Sequence, residues 1–123
     1  MGAGSGPSAD LGPSGLEQPE VIDYVVEEAD GTFSLVAVET RPWDGGRSQV
    51  DQLMAKVNAY AAYLLDGQLA RDHPGAQGRP ARVVLQAFYI PVGEVTEALG
   101  LIREALAGEG IGFDVTILGG AGF

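Results

Sequence analysis

Two runs in this chain, Phe33 to Thr40 and Arg82 to Ile90, carry apolar residues on both of the faces that a β-strand would present. In the first, Leu35 and Ala37 alternate with Val36 and Val38. In the second, Val83, Leu85, Ala87 and Tyr89 alternate with Val84, Gln86, Phe88 and Ile90. Strands of this kind need cover on both sides, which points to central positions in a sheet. Between them Val50, Leu53, Val57, Tyr60, Ala61 and Leu64 recur at helical spacing. Two strands joined through a helix are parallel neighbours, so the chain is constrained toward an α/β (α+β) architecture before anything else is considered.

The remaining elements fall around that frame. Val21 to Val26 is a β-branched and aromatic run, and the Asp30-Gly31 pair before Phe33 supplies the positive φ of a tight connection, which predicts a β-hairpin. The first helix is expected from Ser48 to about Leu69, with Ser48 and Asp51 as its cap and Asp66-Gly67 loosening or ending it. Gln49, Gln52, Lys56 and Tyr63 are assigned to its opposite, polar face. Asp72 to Pro80 is a loop. Val95, Ala98, Leu99, Ile102 and Leu106 mark a second helix ending near Gly108 or Gly110, and Phe113 to Leu118 is a last short strand. The order ββαβαβ, with right-handed crossovers, predicts a mixed four-stranded sheet with two helices. If strand order follows chain order, both helices lie on one face. The apolar residues of the other face then need a cover, for which a homodimer is the simplest source.

Residues 1–18 are rich in Gly, Ser and Pro and are read as a flexible tail, residues 19–118 as a single α/β domain, and residues 119–123 as a flexible C-terminal end. The chain has no cysteine, which removes disulfides, thiolate metal sites and thiol nucleophiles together. No apolar stretch or N-terminal signal pattern points to a membrane, so a cytoplasmic location is expected. The formal net charge of −10 repels phosphate backbones and anionic lipid surfaces, so neither nucleic acid nor membrane is expected as a partner.

The most unusual local feature is the turn Arg41-Pro42-Trp43-Asp44-Gly45, which places the single Trp between a proline and an Asp-Gly pair. It lies where a strand leads into a crossover helix, a common place for ligands in α/β sheets. The structural alternative is that Trp43 closes the core over the first helix while Asp44 forms a side-chain turn. The wider set Glu39-Thr40-Arg41-Pro42-Trp43-Asp44-Gly45, then Gln52-Leu53, Lys56, Asn58, Tyr60, Tyr63, Asp66-Gly67-Gln68-Leu69 and Pro74, resembles DUF6572, a family of small bacterial domains of unknown function. The resemblance covers roughly residues 21–90. It implies that the turn and the end of the first helix belong to one unit, and it implies no activity, cofactor or metal.

Asp23, Glu39 and Arg41 invite comparison with the Asp and Glu-x-Lys metal-binding arrangement of a nuclease superfamily. Arg41 in place of lysine is a poor base at neutral pH, so paired strand residues are the better reading. His73 is the sole histidine and sits in a Pro/Gly loop, and no serine lies in a nucleophile elbow. No catalytic set is recognised. The expected function is a non-catalytic protein-interaction module, with self-association as the leading form. One alternative is a small-molecule or peptide binder using Arg41, Trp43, Asp44, Tyr63, Asp66 and Gln68, and another is an immunity-type inhibitor of a basic partner.

Overall fold

The computed structural model describes residues 16–18, 21–44 and 46–118. Gly45, Pro19, Glu20, most of the tail and the end from Gly119 onward lie outside the described residues. The described elements are β1 (Tyr24–Glu27), β2 (Phe33–Glu39), α1 (Arg47–Leu65), α2 (Gln68–Asp72), β3 (Ala81–Ala87), α3 (Glu94–Gly108) and β4 (Gly112–Ile117). The strands form one sheet in the order β1-β2-β3-β4. β1 is antiparallel to β2, and β3 and β4 continue in parallel, with Val36 opposite Tyr24 on one side and Val84 on the other. The expected mixed ββαβαβ sheet is therefore the fold. A third, five-residue helix follows Gly67, whose φ of 79° breaks the line of α1.

The pleat decides what each face holds. Leu35, Ala37, Val83, Leu85 and Phe113 share one core with Leu53, Val57 and Tyr60 of α1 and with Val95, Ala98, Ile102 and Leu106 of α3. Both long helices thus cover the same face and pack on each other. The opposite face carries a separate small cluster, Val36, Val38 and Val84, which is already buried in the single chain. Among the described residues, Tyr24 and Val26 on the β1 edge expose large apolar surface there. Beside the valines, Arg82 spans the sheet through Ser34 Oγ at 2.9 Å, Glu28 at 3.2 Å and Asp114 at 2.7 Å.

Several boundaries differ from the sequence expectation. β3 ends at Ala87, so Phe88, Tyr89 and Ile90 are exposed rather than packed inside. α1 begins at Arg47 with Gly46 as its cap, while Ser48 stands exposed inside the helix. Leu16, which precedes residue 19, is fully buried in the helix-side core.

Candidate functional site

The densest chemistry in the molecule lies between the C-terminal end of β2 and the first half of α1, and most of it is buried. Glu39 is the last residue of β2 and only 1 % exposed. Its pleat position faces the helix, where Arg41 folds back on it with Nη2 at 2.6 Å and Nε at 3.0 Å, and the Arg41 backbone N–H adds a bond at 2.9 Å. The Arg41 guanidinium also donates to Gln52 Oε1 at 2.7 Å. This bidentate pairing with Glu39 raises the Arg41 pKa above its ordinary value against the opposing effect of burial.

One turn earlier on α1, the buried Gln49 clamps the corner. Its amide nitrogen donates to Glu39 Oε1 at 3.3 Å and to the Pro42 carbonyl at 3.2 Å, while its oxygen accepts from the Asp44 backbone N–H at 2.9 Å. Asp44 Oδ1 accepts in turn from the Gly46 N–H at 2.7 Å, a side-chain turn that leads into the helix. Trp43 is 8 % exposed, belongs to the core, and donates its indole N–H to the Tyr89 carbonyl at 3.0 Å. The structural alternative set out for this turn is what the fold contains. Trp43 is a core residue tying β2 to the segment after β3.

Deeper along α1, Lys56 has no exposed side chain and pairs at 3.3 Å with Asp23, which is equally buried. Burial lowers the Lys56 pKa, with Asp23 opposing that shift. Asp23 Oδ2 also accepts from the Val38 N–H at 3.0 Å. Tyr60 completes the row by accepting from the Asp23 N–H at 3.0 Å and donating to the Val36 carbonyl at 3.0 Å, and burial raises its pKa well above that of a free phenol. Asp23 and Glu39 are therefore charge-compensated by Lys56 and Arg41. That is the paired-strand arrangement expected for them, and among the described residues no cluster of three metal-ligating side chains occurs.

The chain's own N-terminal side reaches this row. Glu17 pairs with Arg41 Nη1 at 3.3 Å, and the Gln18 carbonyl accepts from Lys56 Nζ at 3.1 Å. Burying Leu16 contributes about 1.5–3 kcal/mol, the bond to a charged donor about 1.5–3 and the exposed ion pair about 0–1. Ordering the backbone of three residues costs roughly 3–6 kcal/mol, and fixing the buried Leu16 side chain about 0.5–1 more. The attachment is close to balanced.

The six candidate residues separate into two groups. Arg41, Trp43 and Asp44 form the corner just described. Tyr63, Asp66 and Gln68 lie at the far end of α1, about 16 Å or more along the helix from Gln52 at ~1.5 Å per residue. There Tyr63 donates to Asp72 Oδ2 at 2.8 Å, the Asp66 carbonyl accepts from Arg71 at 3.1 Å, and Gln68 lines a 370 Å³ groove with Ile22, Tyr60 and Tyr63. Sequence reasoning placed Gln49 and Lys56 on the polar face and so missed them. The signal was present: Gln49, Leu53, Lys56 and Tyr60 repeat at helical spacing on one stripe. A 560 Å³ groove between α1 and α3 was also missed, with Val50, Met54, Ala98 and Leu101 in it and Arg47 bridging Asp51 and Glu94 across it.

A model of a protein family matches the chain over residues 14–119, which takes in the whole described sheet, both long helices and Leu16. The chain belongs to DUF6572, a family of unknown function. Among curated proteins and solved structures, nothing matches it. The DUF6572 match includes the buried Leu16. Among the described residues of this DUF6572 chain no helix is long and apolar enough to cross a membrane.

Proposed function

We propose that this domain is a non-catalytic protein-interaction module, and that its interaction surface is the apolar ridge following β3. The observation that carries the reading is Phe88, Tyr89, Ile90 and Val92, four large apolar side chains within five residues, each 40–59 % exposed, with Ile117 exposed at the same end of the sheet. Because β3 stops at Ala87, residues that alternate like a buried strand are turned out to solvent, and Trp43 anchors the base of the ridge through the Tyr89 carbonyl. Contiguous exposed apolar surface of this kind marks interaction sites. The buried charges support the same reading, since Asp23, Glu39, Lys56 and Arg41 are engaged with one another and present no reactive group to a substrate.

A second copy of the chain is the partner the sequence expectation names, now through the ridge rather than the valine face. Light scattering across a concentration series tests it: the wild-type chain shifts from monomer to dimer, and Ile90→Asp with Val92→Asp holds it monomeric with the same circular dichroism. A wild-type chain that stays monomeric at high concentration removes self-association. Identical behaviour of wild type and the double variant in both self-association and retention on a hydrophobic matrix removes the ridge.

A further inference from the structure

The sheet ends on β4, and this edge is complementary to itself. No further strand lies beyond β4 among the described residues, and Gly112, Asp114, Thr116 and Ile117 are exposed. The Leu118 N–H donates to the Ala87 carbonyl at 2.9 Å, which fixes the phase of the strand. Main-chain groups alternate in direction along a strand, so Asp114 and Thr116 turn theirs toward β3, while Phe113, Val115 and Ile117 turn theirs outward. An open row of this kind is a template for another strand, and native edges are commonly blunted by proline, lysine or shortness. The six residues of β4 contain neither proline nor lysine and a single charge, Asp114.

A second copy of β4 fits this edge antiparallel in one register. A two-fold axis normal to the sheet sets residues of the same pleat opposite each other and therefore passes between two copies of one residue. Centred on Asp114, it opposes two carboxylates. Centred on Phe113 or Thr116, it pairs fewer residues of the strand. Centred on Val115, it opposes Asp114 to Thr116 and Phe113 to Ile117, and all three outward residues exchange hydrogen bonds. The other edge fits less well, since β1 has four residues and a copy centred on Val25 opposes Asp23 to Glu27. The flank of α3 above β4 leaves room for the second copy. Arg103 lies over the Phe113 ring at 6.0 Å, and Thr96, Gly100 and Ala107 share its stripe at helical spacing. All three are exposed, and a Cβ added at Gly100 meets nothing within 4 Å.

We propose that β4 is the docking edge for β4 of a second copy, centred on Val115, so that two four-stranded sheets join into one. The inference rests on the self-association reading above and supplies its geometry. Ile117 enters the contact directly, and Phe88 of the ridge follows Ala87, the register partner of Ile117.

The chain has no cysteine, so one introduced thiol per copy reports the pairing. Asp114 of one copy and Thr116 of the other form a non-hydrogen-bonded pair with Cα atoms about 4.5 Å apart, within reach of a disulfide. A mixture of full-length Asp114→Cys and Thr116→Cys therefore crosslinks to the mixed dimer under mild oxidation, whereas each variant alone does not. Val115→Pro removes an outward N–H, a change that an edge strand tolerates, and raises the dimer dissociation constant about tenfold or more in sedimentation equilibrium. Near-ultraviolet circular dichroism establishes folding, and the cysteine pair, at exposed side chains, carries the test alone where the proline disturbs the fold. No crosslinking in the mixture at concentrations where wild type is dimeric overturns the proposal, as does Asp114→Cys alone crosslinking as fast as the mixture. A wild type that stays monomeric at high concentration removes the edge together with the self-association reading. A dimer kept by Val115→Pro but lost in Ile90→Asp with Val92→Asp overturns the edge and leaves the ridge. A dimer lost in Val115→Pro and kept in that ridge variant supports the edge and removes the ridge from self-association.

Discussion

Replacing Arg41 with Met keeps most of the aliphatic stem and removes the charge facing Glu39. Glu39 is 1 % exposed, and in the variant its carboxylate keeps the backbone N–H of residue 41 and the Gln49 amide but loses the guanidinium bonds from Nε and Nη2. Removing one partner of a fully buried ion pair costs about 3–5 kcal/mol. The Arg41 side chain is 36 % exposed, so water replaces part of what is lost, and a discount to about 2–3 kcal/mol is appropriate. With a urea m-value of roughly 1–1.5 kcal/mol/M, the unfolding midpoint falls by about 2 M. Trp43 is the only Trp and is buried, so its emission reports the transition directly. The companion variant, Glu39→Gln with Arg41→Met, removes the buried charge as well and recovers at least half of the loss, because two neutral groups carry no uncompensated ion into the core. A midpoint for Arg41→Met within about 0.5 M of wild type, on the same linear scale, refutes the argument. So does a double variant no more stable than the single one.

Three further outcomes follow from single contacts. Tyr60→Phe leaves the Val36 carbonyl and Asp23 N–H without their hydroxyl and lowers stability by about 2–4 kcal/mol in urea unfolding, at ~1–3 for the buried carbonyl and ~1 for the part-buried N–H. Burial, and then the Asp72 carboxylate, push Tyr63 up to about 12, so the folded chain retains a proton that the unfolded chain releases above the ordinary tyrosine value of 10.0. Stability therefore falls as pH rises through 10, and Tyr63→Phe flattens that limb of a midpoint-against-pH series. Gly93 caps α3 with φ 70° and ψ −145°, a region essentially closed to other residues, and Gly93→Ala costs about 1–3 kcal/mol by the same assay. A Gly93→Ala variant as stable as wild type would show that the turn relaxes freely.

The fold was legible because its signals are local and redundant. Val83 and Leu85 alternate with Val84 over the same run that forms β3, and the Asp30-Gly31 pair closes the hairpin with Gly31 at φ 91°. The end of β3 was not legible, since Phe88 and Ile90 continue the alternation past the point where the ladder stops. The candidate site was half legible. Arg41, Trp43 and Asp44 stand close together in sequence and share a corner, whereas Lys56 meets Asp23 across 33 residues, and a helical lysine is far more often solvated than buried. Leu16 was hidden for a related reason: one leucine within a Gly/Ser/Pro-rich stretch carries no periodicity, and only the closed core shows that it has a place to go.

The polar stripe on α1 also settles how that helix can sit. A helix held by leucine and valine alone tolerates sliding along a sheet, because apolar surfaces of similar volume exchange at modest cost. Moving α1 by one turn, about 5.4 Å, would part Lys56 from Asp23, Tyr60 from the Val36 carbonyl and Gln49 from the Pro42 carbonyl all at once. These contacts act as a key cut for one lock position, so alternative registers of helix on sheet are penalised together, leaving one alignment of the corner.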